Sequence, residues 1–132
     1  NDNKLSEWFL ASGADVIACT HTCLPVLWSG LVGERSRVVV NNGSAGMGNL
    51  QSDPRGLITR VGLSSPVAEP VAGIERQGLH VSLLPVSYSL EAWLPEFDRL
   101  WPAGSPAAVS YRNRILNGTS LHADDVIFPS LI

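Results

Sequence analysis

The sequence predicts a mixed α/β domain, and three observations carry that prediction. "SRVVVNNG" and "GLITRVGL" are β-branched runs bounded by turn residues, the pattern of buried strands. "KLSEWFLASG" has helical spacing and runs directly into the apolar "ADVIA", a helix feeding a strand. "SLEAWLPEFDRLWP" adds an amphipathic helical segment and "SPAAVSYRNRILNG" a second helix with recognisable caps further along.

Taken in order, Leu5, Trp8, Phe9 and Ser12 line one side of the first helix, Asn3 or Asp2 caps its start, and Gly13 ends it. "ADVIA" is a short buried strand closed by the turn-like "CTHTCLP". "LPVLWSG" continues extended, with Pro25 at a strand start or edge, where its missing N–H is tolerated. "SRVVVNNG" is the strongest strand, and "GLITRVGL" places Leu57, Thr59 and Val61 opposite Ile58 and Arg60. Between them, "NNGSAGMGNLQSDPRG" is a glycine-rich loop of a length usually reserved for function. "SSPVAEPVAG" reads as a proline-interrupted connector and "GLHVSLLPVSY" as the last strand of the sheet. Leu90, Trp93, Leu94, Phe97, Leu100 and Trp101 then form an apolar helical stripe, which Pro95 is expected to divide into two shorter turns. The next helix has Ser105 as cap, Pro106 at its first position and Gly118 past its end. "TSLHADDVIFPSLI" carries no assignable pattern.

A chain of 132 residues is the size of one ordinary domain. The net charge of −3 and the scattered Lys and Arg side chains argue against a nucleic-acid surface, because nothing neutralises a row of phosphates. No apolar stretch approaches the roughly 20 residues that span a bilayer, so no membrane association is expected. Two cysteines four positions apart make no disulfide framework, which predicts reduced thiols and a cytoplasmic protein.

The chemistry-bearing cluster is Cys19, His21 and Cys23. In extended backbone these side chains share one side, offering three soft donors to a metal. Same-face neighbours on a strand are about 7 Å apart, however, too far for one ion unless the chain bends. The competing reading is a pair of structural thiols beside a hydrogen-bonded histidine, and a redox role for the two thiols is a third. "GSAGMG" lacks the Gly-Lys-Ser/Thr of a phosphate-binding loop and the spacing of a dinucleotide fingerprint. Asp53, His80, His122, Asp124 and Asp125 stand in no motif and read as solvated surface.

The order of segments is more specific than any one of them. "THTCLP" after a short apolar strand, followed by a strand ending in "VVNNGSAGM", resembles the C-terminal half of calcineurin-like metallophosphoesterases. In that family one strand ends in Gly-His-x-His and a later one in Asn-x-Gly-Ser. Thr20-His21-Thr22-Cys23 lies on the first motif and Asn41-Asn42-Gly43-Ser44 on the second, within a match covering residues 5 to 63. The resemblance implies part of a β-sandwich flanked by helices. Residues 1–65 would form the C-terminal half of the phosphoesterase domain, and residues 66–132 a helical C-terminal extension packing on the same core.

The same resemblance implies hydrolysis of phosphate esters by a two-metal mechanism with Zn, Fe or Mn. His21 would be a metal ligand, Cys23 would stand where the second ligand histidine belongs, and Asn42, Gly43 and Ser44 would form the rim of the substrate pocket. A thiolate suits zinc or iron and suits manganese or magnesium poorly. The family's Asp-x-His and Asn-His ligand motifs occur nowhere in these 132 residues. The chain is therefore expected to be inactive alone, and either to form a homo-oligomer or to pair with an N-terminal half. The alternative is a non-catalytic binding or self-association domain.

Overall fold

The computed structural model describes residues 2–128 and shows a mixed α/β chain with two sheets and three helices. Helix α1 spans Asp2–Ser12, so both residues expected to cap it lie inside it. Gly13, at φ +67°, ends it with its N–H donated to the Phe9 carbonyl (2.9 Å). The chain then enters β1, Val16–Cys19. Strands β2, Pro25–Val32, and β3, Arg35–Asn42, form a hairpin, with Pro25 at the first position of its strand as its missing donor requires. A long loop leads to β4, Gly56–Gly62. Strands β5, Ala72–Arg76, and β6, Leu79–Val86, follow as a second hairpin closed by Gln77 and Gly78, both at positive φ. Helices α2, Leu90–Leu100, and α3, Pro106–Asn117, lead to a 3-10 turn at Ala123–Val126 and the two-residue β7, Ile127–Phe128.

The first sheet has the order β1-β3-β2-β7 and the second β4-β6-β5. Strand β1 runs parallel to β3, with Val16 opposite Val38 and Cys19 opposite Asn41. One apolar cluster joins the sheets: Leu27, Val38 and Val40 from the first meet Ala72, Val81 and Leu83 from the second, with Val126 between them. Core residues thus come from both sides of residue 65. The alternation of the strands explains the cluster, since Val38 and Val40 lie two apart on one face of β3 and Val81 and Leu83 two apart on β6. In β4, Leu57 is buried as expected, but Val61, assigned to the same face, is exposed near the strand end.

Helix α1 is fixed through Phe9, which is fully buried, stacks on Trp28 with ring centroids 6.4 Å apart, and carries the Arg37 guanidinium over its ring, 5.7 Å from the centroid. Arg37 is itself buried and donates to the Asp15 carboxylate at 2.8 Å and to the carbonyl of Ala14. A second cluster of Phe97, Ala108 and Ile115 holds α2 to α3, and Met47 of the long loop inserts against it.

Two expectations are corrected here. Helix α2 is continuous through Pro95: one backbone bond is forgone, but Ser89 caps the first turn by accepting from the Ala92 N–H, and the packed Trp93–Phe97–Trp101 face holds the rest. Strand β6 is not the last strand, because β7 adds to the first sheet parallel to β2, with Leu27 opposite Ile127. Among the described residues, no helix is long and apolar enough to cross a membrane.

Candidate functional site

Because β1 and β3 are parallel and in register, their C-terminal ends point the same way, and the segments that follow them meet. Residues 20–24 follow β1 and residues 43–55 follow β3. Loops beyond the carboxyl ends of parallel strands are where α/β folds place their chemistry.

The first segment is not extended. The Cys23 N–H returns to the Thr20 carbonyl (3.2 Å), closing a turn with His21 and Thr22 at its centre, and Cys23 takes the left-handed φ of +55°. The segment is the turn expected from the sequence, so the three side chains do not share one strand face. Cys19 ends β1 exposed, His21 is exposed at the turn tip, and Cys23 is half-buried past it. The chain bends where a shared ion would have required a bend, but Cys19 stays on the strand. Both cysteines are free thiols.

Threonines bind this turn to the neighbouring loop. Thr20 Oγ1 donates to the Gly43 carbonyl (2.9 Å), and Asn41 Nδ2 donates to Thr22 Oγ1 (2.8 Å). His21 is thus flanked on both sides by residues tied to the end of β3. The structure ties the turn that carries His21 to Asn41 and Gly43 at the end of β3.

The β3 loop is built around Asn49, which is fully buried. Its Oδ1 accepts the Ser44 N–H (2.7 Å), and its Nδ2 donates to the carbonyls of Ser44 (2.6 Å) and Met47 (3.1 Å). Gly43, at φ +70°, is required where it stands, since a Cβ there would lie 2.2 Å from Asn49 Oδ1. Asn42 turns its amide onto the Leu57 carbonyl (2.8 Å), so it stitches β3 to β4. Ser44 is half-buried, and its carbonyl also accepts the Leu57 N–H (2.8 Å). Gln51, Ser52 and Arg55 of this loop are exposed, and so are Ala45 and Gly46. The last two border a largely apolar groove of about 640 Å³ walled by Val86, Tyr88, Ala92 and Trp93. Burial raises the Tyr88 phenol above its ordinary pKa, and its Oη has no hydrogen-bond partner among the described residues.

The C-terminal helix region grips the loop from behind. Thr119 Oγ1 donates to the Asn49 carbonyl (2.6 Å), and the N–H groups of Gln51 and Ser52 donate to the carbonyls of Leu121 (2.8 Å) and Asn117 (2.9 Å). Arg114 on α3 reaches furthest, donating to the carbonyls of Gly48 (3.1 Å) and Cys23. Asp53 pairs with Arg55 at 2.7 Å, and the hydrogen bond from that guanidinium holds the Asp53 carboxyl below its ordinary value. His80 lies away from this region, with Nδ1 3.4 Å from Ser65 Oγ, while the Asp125 carboxylate accepts the His122 N–H (2.7 Å).

Among the described residues, no three His, Cys, Asp or Glu side chains gather as a group able to hold a metal ion. The sequence offered no local signal for Asn49, Arg114 or Thr119, whose contacts reach across 65 to 91 positions. Thr20 and Thr22 were within the motif but carried no expected role. No protein-family model, curated protein or solved structure matches this chain.

Proposed function

We propose that the chain is the C-terminal portion of a calcineurin-like, metal-dependent phosphoesterase, and that alone it does not hydrolyse phosphate esters. The observation that carries this reading is the meeting of the His21 turn with the Asn42–Ser44 segment at one end of the parallel β1/β3 pair, tied by Thr20 to Gly43. The left-handed Cys23 adds to it, because strained non-glycine backbone concentrates at functional positions. The two sheets packed through one apolar cluster suit the sandwich-like arrangement of that family.

The residues present do not make a complete metal centre. His21 and Cys23 are two donors, and a tetrahedral site uses four ligands, three of them from protein in a catalytic centre. In this reading the remaining ligands come from polypeptide outside these 132 residues. Strand β1 is consistent with such a neighbour. It is a four-residue parallel strand at a sheet edge, and its outer edge is unpaired among the described residues, whereas parallel strands are ordinarily enclosed. Self-association without chemistry is the second reading, favoured by the exposed Trp8, Leu10, Leu31 and Val109.

Titration with Co²⁺, followed by thiolate charge-transfer absorption, tests the first reading. Weak but saturable 1:1 binding, with water completing the shell around the two protein donors, is expected, lost in His21→Ala and Cys23→Ser and retained in Cys19→Ser. Absence of binding, or binding lost only with Cys19, overturns it.

A further inference from the structure

Arg114 differs from most arginines in the structure. Arg35, Arg37, Arg55, Arg99 and Arg112 each pair with a carboxylate. Arg114 is half-buried and is directed instead at neutral acceptors in two separate segments: the Cys23 carbonyl of one, and the Gly48 carbonyl (3.1 Å) and Asn49 Oδ1 (3.4 Å) of the other. A planar guanidinium with several fixed donors can hold two backbone segments at a set separation, which a single ammonium point cannot.

The neighbouring contacts show why that separation is set here. Asn49 Oδ1 receives both the Ser44 N–H and Arg114, so the guanidinium is hydrogen-bonded to the same atom that shapes the Asn42–Ser44 segment. Cys23, whose N–H closes the His21 turn and whose carbonyl accepts from Arg114, lies two residues before Pro25, whose ring limits how the chain can otherwise move. Helix α3 is in turn fixed at both ends, by the Ser105 cap and by Gly118, where a Cβ would meet the Leu50 carbonyl at 1.8 Å. The arginine thus projects from a rigid support.

We propose that Arg114 is a positioning residue for the candidate site, holding the His21–Cys23 turn and the Gly43–Asn49 loop in the relation that lets them act together. The inference deepens the phosphoesterase reading by giving α3 a part in that site, though the clamp can be measured without metal.

The experiment is amide hydrogen exchange on metal-free wild type, Arg114→Gln and Arg114→Lys, resolved at single residues. Two reporters lie far apart in sequence: the Cys23 N–H, bonded to the Thr20 carbonyl, and the Ser44 N–H, bonded to Asn49 Oδ1. Both are expected to exchange at least about tenfold faster in Arg114→Gln. The amides of β6 should keep their protection, Arg114→Lys should not restore the wild-type rates, and added methylguanidinium should restore them in part. Unchanged exchange at either reporter overturns the proposal, as does a uniform loss that includes β6, which would mark a general stabilising role. With Co²⁺ added, loss of affinity by about 10- to 100-fold in Arg114→Gln is the size expected for a group supporting a ligand. Wild type that binds no Co²⁺ sinks the functional reading alone, and unchanged exchange sinks the clamp alone.

Discussion

Gly43 and Asn49 form a pair whose coupling can be calculated before it is measured. Replacing Gly43 with alanine places a Cβ in left-handed backbone at φ +70°, 2.2 Å from Asn49 Oδ1 and 3.1 Å from Pro25 Cδ. The backbone term is about 1–2 kcal/mol, and the forced overlap adds about 1–3 kcal/mol, giving about 2–5 kcal/mol for Gly43→Ala. Asn49→Ala removes three neutral hydrogen bonds, to the Ser44 N–H, the Ser44 carbonyl and the Met47 carbonyl, together with the longer one from Arg114 (3.4 Å). At about 1 kcal/mol each, with some excess for groups left buried, the loss is about 3–4 kcal/mol. In the double variant the amide that alanine would strike is gone. Gly43→Ala should then cost only its backbone term and the weaker Pro25 contact, so the double variant is more stable than the sum of singles by about 1–3 kcal/mol. Urea unfolding of the four proteins, compared by midpoint at constant m, measures the difference. Additivity within about 0.5 kcal/mol would refute the account of the loop as built around Asn49.

Other consequences concern the framework that carries the site. Asp15→Asn leaves the buried Arg37 guanidinium with carbonyls alone and should lower stability by about 1–3 kcal/mol in urea unfolding, discounted because Asp15 is 40% exposed; no change would mean the pair is idle. Phe97→Ala removes a side chain 3% exposed and packed 5.0 Å from Trp101, so a loss of about 3–5 kcal/mol is expected, with Met47 loosened in side-chain NMR; under 1 kcal/mol would contradict the helix packing. The hydrogen bond from Arg112 lowers the Asp98 carboxyl below its ordinary 3.8, so its stabilisation is present above that value and is lost as pH falls through the lower folded one. A tryptophan-fluorescence acid titration should therefore lose part of its transition below pH 3.8 in Asp98→Asn, and an identical titration would show that the α2–α3 ion pair does not contribute.

The sequence was most legible where the chain carries its own punctuation. Helix α3 lies between Ser105-Pro106 and Gly118, and β2 begins at Pro25, both as the residues require. Strand β5 was hidden in a proline-rich stretch because its five residues gain their strand character from pairing with β6, and β7 is only two residues long. At the site, the His21 and Gly43 segments stood out as motifs, but their meeting depends on the parallel register of β1 and β3. Arg114 and Asn49 had no local signal at all, since a residue that binds across 91 positions looks like any other helix arginine. The turn at His21 was legible from the polar Thr-His-Thr run after the apolar strand, and the Cys23 N–H bond to Thr20 closes it.

The central claim is that the His21 turn and the Asn42–Ser44 segment are one site. Paramagnetic Co²⁺ at low stoichiometry, with amide and imidazole broadening read by NMR, tests it most directly. The account predicts broadening of the His21 ring together with the amides of residues 42–44, lost in both in His21→Ala. Broadening centred on Asp124 and Asp125, or at His21 with none at residues 42–44, would contradict it.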